Sequence, residues 1–208
     1  MEFHLEPGTL RAVLDQGRSA ASPIPGLGHD GGPSPRAAVA AVFRQGRLGT
    51  ELLFIQRAAK ETDPWSGQMA FPGGRVDETD ADTHATAERE SLEEVELDLS
   101  YAVRLGSLSE LDGGRATNRP ISVCAHNYWL EGPPPPLRPN YEVADVLWVP
   151  VATLLDQRRY IDYHYPRSDT HFPGIELDRE GQVVWGLTLR FLSDLFGRLG
   201  LPFIALPG

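Results

Sequence analysis

Residues 71–94 read FPGGRVDETDADTHATAERESLEE, and no other stretch restricts the fold so tightly. Gly73 and Gly74 let the backbone turn sharply and approach another group closely. Asp77, Thr79, Asp80 and Asp82 then offer alternative N-caps for a helix that runs to about Val95. That helix stacks Glu90, Glu93 and Glu94 within one turn, where like charges repel, so a cation is needed to hold them. At about 100° per residue the three carboxylates share a face. Ala81, Ala85, Leu92 and Val95 fall roughly opposite, where they can pack on a sheet. Arg89 lies one turn before Glu93 and can pair with it. A carboxylate helix beside a Gly-Gly turn presents hard oxygen ligands, including a backbone carbonyl, to Mg²⁺ or Mn²⁺.

The flanking segments predict strands and helices in one layered unit. RAAVAAVF and ELLFIQR read as a hairpin around GRLGT, although the alanines of the first run also fit a helix. AAKETDPWSGQMA reads mostly as loop. YAVRLGSLSEL, RPISVCAHNYWLEG and EVADVLWVPV read as strands, ATLLD as a short helix, and PGIELDREGQVVWG as a hairpin around Arg179, Glu180 and Gly181. LTLRFLSDLFGRLG is an amphipathic helix with Leu187, Phe191, Leu195 and Leu199 at helical spacing. This mixture predicts an α/β layered domain over residues 36–208. Residues 1–35 are expected to form an arm: a helix from Thr9, its N-cap, to Gly17, then a linker rich in Pro, Gly and Ser.

A chain of 208 residues, 41% hydrophobic, supports one good-sized core rather than two domains. No apolar run reaches the roughly eighteen residues of a membrane helix, and the N-terminus has no secretory pattern, so no membrane partner is expected. The single cysteine, Cys124, excludes an internal disulfide. It sits in an apolar run, where a buried, inert thiol is expected, and the protein is assigned to a reducing cytoplasm. A net charge of −10 disfavours binding to a nucleic-acid backbone. It leaves room for a small phosphorylated substrate, since metal ions can reverse the local field.

Gly74, Arg89-Glu90 and Glu93-Glu94 closely resemble the Nudix box, G-x5-E-x7-R-E-U-x-E-E-x-G-U with U apolar. The resemblance implies an α/β/α sandwich with a mixed sheet, and Mg²⁺- or Mn²⁺-dependent hydrolysis of a nucleoside diphosphate linked to another group. It implies Glu90 and Glu94 as principal metal ligands, Glu93 as a further one, a carbonyl ligand from Gly73, and Arg89 as their orienter. Three positions depart from the box. One extra residue precedes Arg89, leaving Asp80 as the best match to the early acidic position. Ser91 fills an apolar position. Glu96 stands where the box has glycine, and a left-handed backbone there costs about 1–2 kcal/mol.

The extra residue, the stretch Val76-Asp77-Glu78-Thr79-Asp80-Ala81 and the segment LLFIQRAAKETDPWSGQMAFPGG resemble a coenzyme A pyrophosphatase branch of that family. The resemblance covers roughly residues 36–195. It implies attack of water on one phosphorus of coenzyme A or an acyl-CoA, giving 3′,5′-ADP and (acyl-)4′-phosphopantetheine, with Arg57, Gly67, Gln68, Gly74 and Trp65 contacting substrate. Asp63 stands where that branch usually has arginine, which keeps ADP-ribose, a dinucleotide or another nucleotide conjugate in play. A non-catalytic nucleotide-binding module is a further alternative. Glu90 and Glu142 are the candidate general bases.

Other residues receive structural readings. His84 is expected at the solvent surface. His164 and His171 flank a polar loop and are weighed as pocket lining, with a plain loop role favoured. Trp129, Trp148 and Trp185 are expected in the core or a pocket wall. Arg119 is weighed as a phosphate contact and assigned to surface pairing. The N-terminal arm and C-terminal helix could serve a homodimer interface.

Overall fold

The computed structural model describes residues 3–14, 36–61, 63, 65–113, 121–165, 169–179 and 181–204. Arg119, the linker, Gly17 and Glu180 lie outside these. Strands β1 (Arg36–Gly46) and β2 (Gly49–Arg57) form the expected hairpin, with Phe43 opposite Leu52. The alanines of β1 serve a strand buried on both sides: Ala38, Ala40 and Val42 face one way, Ala37, Ala41 and Phe43 the other. Methyl groups at these positions let flanking elements lie close to the sheet.

β1 is the hub. β7 (Ser122–Leu130) runs parallel along one edge, from Arg36 opposite Ser122 to Arg44 opposite Leu130. The other edge is divided between β2 and β4 (Gly73–Arg75), which pairs Gly73 with Val39 and Arg75 with Ala37. β3 (Met69–Ala70) and β8 (Val143–Pro150) pair with β2, while β5 (Val103–Ser107) and β6 (Leu111–Asp112) pair with β7. Together they make a mixed eight-stranded sheet among the described residues.

Helix α2 (Thr83–Val95) covers one face, where Ala87 and Val95 meet Ala38, Ala40, Leu53 and Ile55. Helices α1 (Pro7–Leu14) and α4 (Gly186–Arg198) cover the other, where Leu10, Leu14, Leu189 and Phe191 meet Phe43, Leu52 and Phe54. The result is an α/β/α sandwich. Helix α3 (Val151–Leu154) follows β8. Strands β9 (Tyr160–Tyr165), β10 (Thr170–Glu176) and β11 (Val183–Trp185) form a separate antiparallel sheet. Among the described residues no helix is long and apolar enough to cross a membrane.

Several expectations change. α2 does not bury Ala81 and Leu92, which are exposed; it buries Thr83, Thr86, Ala87, Ser91, Glu94 and Val95. The wheel chose the more apolar stripe, but close packing on the alanines of β1 selects the small-residue stripe, which carries Glu94 inward. Ser91 is satisfied there by donating to the Ala87 carbonyl at 2.7 Å. α1 begins at Pro7 rather than after Thr9, since proline suits the first helical turn. The segment after β2 is not all loop, because Met69–Ala70 returns to pair with Ile55 and Gln56. Glu96 ends α2 in the left-handed region, with φ 54°. Cys124 is buried, and burial raises its thiol pKa.

Candidate active site

β4 and α2 are joined by the segment 76–82, and that joint builds the site. Asp82 caps α2, accepting from the Ala85 N–H at 2.8 Å. Asp80 turns inward, accepting from the Asp77 N–H at 2.9 Å and the Thr86 hydroxyl at 2.8 Å. Its carboxylate also takes Arg89 Nε and Nη2 at 2.9 and 3.0 Å. Arg89 thus fans outward: Nη1 donates to Glu90 at 2.8 Å and Glu93 at 3.2 Å, and Nη2 reaches the Arg75 carbonyl at 3.0 Å. Hydrogen bonding to Asp80 raises the Arg89 pKa, against burial. Burial pushes the Asp80 carboxyl up, but Arg89, the Asp77 N–H and Thr86 outweigh it and hold it below the usual range.

The glycine pair is required by contact. A Cβ on Gly73, whose φ is +156°, would stand 2.3 Å from the Ala38 carbonyl oxygen. A Cβ on Gly74 would stand 2.4 Å from Glu90 Oε1. The Gly73 N–H donates to Glu94 Oε2 at 2.9 Å, tying β4 to the helix. Glu94 is 2% exposed, and burial pushes its carboxyl up to about 7. The Gly73 N–H and Arg57 oppose that rise, while Glu90 and Glu142 add to it. Burial also raises Glu90, with Arg89 acting against it.

These groups line one cavity of about 680 Å³. Its lining is mixed: Arg57, Lys60, Asp63, Arg75, Glu90, Glu94 and Glu142 are charged, and Met69, Phe71, Ile121, Val123, Leu187 and Phe191 are apolar. Gly73, Gly74, Gln68 and Trp65 also line it. Three expected residues stand back, the first being Arg89, which holds Glu90 from behind the cavity wall. Glu93 is largely exposed on the far side of Arg89. Gly67, at φ +74°, serves the turn in which the Gln68 N–H meets the Trp65 carbonyl at 3.2 Å.

Glu142 reaches the cavity through a stitch that periodicity could not reveal. Asn140 donates its N–H to the Glu94 carbonyl at 2.9 Å and its side-chain amide to the Glu93 carbonyl at 2.9 Å. Its side-chain oxygen accepts from the Glu142 N–H at 2.8 Å, and the Glu142 carbonyl accepts from the Ala58 N–H at 2.8 Å. The sequence signal was PNYEVAD, where an Asn before a strand marks an Asx turn.

His84 is not at the surface. Its ring is half-buried and stacked on His126, with centroids 3.7 Å apart, and its Nδ1 lies 3.1 Å from the Tyr128 hydroxyl. His126 and Tyr128 share one face of β7, so the ring lies across that face. His164 and His171 are exposed cross-strand neighbours, each bonded to an aspartate (Asp169 and Asp162), and do not line the cavity. Trp129 and Trp185 are buried, while Trp148 is half-buried beneath the Arg44 guanidinium, 4.1 Å from the ring centre.

Carboxylates engaged by arginines leave oxygen lone pairs available, and hard cations accept such donors. Among the described residues, no three His, Cys, Asp or Glu side chains cluster closely enough to hold an ion alone. Glu90 and Glu94 present two carboxylates. Mg²⁺ is commonly bound by one or two carboxylates, completed by water and substrate phosphate.

Comparison with known proteins bears on the family and the fold. A protein of Schizosaccharomyces pombe is 35% identical over 130 residues, 56% of this chain but 40% of that protein. The uncharacterized Nudix hydrolase NudL of Citrobacter koseri is 31% identical over 169 residues, covering 79% of this chain and 82% of that one. A crystal structure of a MutT/nudix family protein from Enterococcus faecalis superposes with a TM-score of 0.57 at 15% identity, over 94% of this chain and 75% of that one, and so shares the fold. Residues 34–168 match the NUDIX domain. The chain therefore belongs to the NUDIX domain family, as a pyrophosphohydrolase.

Proposed function

We propose that the enzyme hydrolyses the pyrophosphate of coenzyme A or an acyl-CoA, giving 3′,5′-ADP and (acyl-)4′-phosphopantetheine. The observation that carries this reading is the mixed lining of the cavity, which brings carboxylates and arginines together with apolar side chains such as Leu187 and Phe191. A substrate joining a pyrophosphate to a long, weakly polar arm uses both kinds of lining. ADP-ribose and dinucleotides would set a sugar or a base against Leu187 and Phe191.

In this reading Glu90 and Glu94 hold a divalent cation, Mg²⁺ or Mn²⁺, with the Gly73 carbonyl as a further donor. The fit rests on the donor set: the buried Glu94 carboxylate lines the same cavity as Glu90 and Glu142, a set of hard oxygen donors that suits such a cation. Once bound, such an ion lowers the pKa of the attacking water and neutralises charge on the leaving phosphate. Glu93 keeps Arg89 in place rather than entering the cavity. Arg57 and Lys60 meet phosphate oxygens, Gln68 and Trp65 contact the nucleotide or the arm, and Gly74 lets Glu90 approach. Glu142 or Glu90 accepts the proton of the attacking water.

The test is turnover of coenzyme A, an acyl-CoA, ADP-ribose and dinucleotides with Mg²⁺ or Mn²⁺, with products identified by mass. Preference for coenzyme A with release of 3′,5′-ADP supports the assignment. Preference for ADP-ribose or a dinucleotide replaces the substrate and leaves the chemistry standing.

A further inference from the structure

We propose that Asp63 is a positioning residue for the cation site: it holds the Arg57 guanidinium back from Glu94, so that the buried carboxylate stays open. The inference rests on the reading of Glu94 as a metal ligand.

Arg57 closes β2 at a register shift between Gln56 and Arg57, and its side chain lines the cavity. There it stands between two carboxylates. Asp63 Oδ2 accepts from Nη2 at 2.8 Å and from Nε at 3.2 Å. Glu94 Oε1 lies 3.9 Å from Nη1, beyond hydrogen-bond distance. A guanidinium beside a buried carboxylate ordinarily closes to a short charge-assisted contact. Arg44 and the part-buried Glu51 close in this way in this chain, at 2.6 Å. Arg57 does not, because its Nε edge is turned toward Asp63.

The anchor is itself fixed. Asp63 Oδ1 accepts from the Trp65 N–H at 2.9 Å, and the Asp63 N–H donates to the Lys60 carbonyl at 3.0 Å. The Lys60 N–H in turn donates to Ser66 Oγ at 2.7 Å. The turn is thus braced from within, and the Asp63 carboxylate faces Arg57. Without Asp63, Arg57 can close on Glu94 and compete with a cation for the same oxygen. At a position where the resemblance expects arginine, aspartate restrains the arginine already present.

The test is binding of Mn²⁺ alone, without substrate, by calorimetry and electron paramagnetic resonance. It uses the intact chain and the variants Asp63→Asn, Arg57→Gln, the double variant and Glu94→Gln, with thermal unfolding confirming each fold. Asp63→Ser replaces the amide variant if that one does not fold. We expect Asp63→Asn to weaken Mn²⁺ by roughly tenfold or more, as loss of outer contacts to a metal site does. Arg57→Gln should bind at least as tightly as wild type, and the double variant should match Arg57→Gln. Unchanged affinity in Asp63→Asn, or equal weakening with and without Arg57, overturns the positioning role while leaving the metal reading intact. Wild-type affinity in Glu94→Gln overturns both.

Discussion

Asp80 grips Arg89 with both carboxylate oxygens, Oδ1 on Nε at 2.9 Å and Oδ2 on Nη2 at 3.0 Å. This contact spans the joint between β4 and α2. It fixes the arginine that holds Glu90, so it sets the site's geometry from outside the cavity. Asp80→Asn should cost about 1.5–3 kcal/mol, the worth of a hydrogen bond to a charged group, and should lower kcat by loosening Glu90. The Asp80 pKa is depressed in the fold. Its stabilisation is therefore present above the ordinary aspartate pKa and is lost as pH falls through the lower folded value. Denaturant titrations of both proteins from neutral to acid pH, with steady-state rates, check each part.

Gly73 and Gly74 should fail in different ways. A methyl group at residue 74 meets the Glu90 carboxylate, a movable side chain. Gly74→Ala should fold and lose roughly a hundredfold or more in kcat, by analogy with removal of one group stabilising the transition state. A methyl group at residue 73 meets the Ala38 backbone, so Gly73→Ala should lose stability first. Melting temperatures and kcat measured side by side separate the two.

Glu96→Gly should stabilise the protein. Glu96 is the non-glycine C-cap of α2 at φ 54°, a conformation costing about 1–2 kcal/mol. Its exposed pair with Arg138 at 3.5 Å offsets little of that. Glycine's greater unfolded-state freedom reduces the gain, leaving a net of roughly 0.5–1 kcal/mol. Urea unfolding should show a higher midpoint with an unchanged slope.

His126 should make the fold sensitive to mild acid. Its Nδ1 lies 2.7 Å from Ser107 Oγ and its Nε2 2.9 Å from Thr83 Oγ1, and the His84 ring covers it. Burial lowers its pKa from 6.5 to about 3, and burial lowers His84 as well. The unfolded chain therefore takes up protons first. The His126 contribution is complete above pH 6.5 and falls as pH drops toward 3, by up to about 1.4 kcal/mol per pH unit. In His126→Gln the slope of unfolding free energy against pH should shrink by about one proton in that window.

The sequence made the strand order of the hairpin, the carboxylate helix and the glycine turn legible, because each depends on local pattern. Arg57, Trp65, Gln68, Gly73, Gly74, Glu90, Glu94 and Glu142 do share a cavity. Which face α2 buries was not legible. Hydrophobicity marked Leu92, whereas the alanines of β1 demanded small side chains, and no single-segment pattern reports what the partner strand offers. Asn140 and His84 were missed or misjudged for a related reason. Each acts through a partner far along the chain or through a turn, and polarity alone reads such residues as surface.

The parallel pairing of β1 with β7 has a consequence for synthesis. β1 is made early, yet the neighbour along its whole outer edge emerges only after Leu130 has been added. β4, carrying the glycine turn, docks on the same strand. A nascent chain halted before that point carries every box residue through Glu96 but leaves one edge of the hub strand open, exposed to association with other chains. The glycine turn and the carboxylate helix can be synthesised well before the platform that aligns them exists.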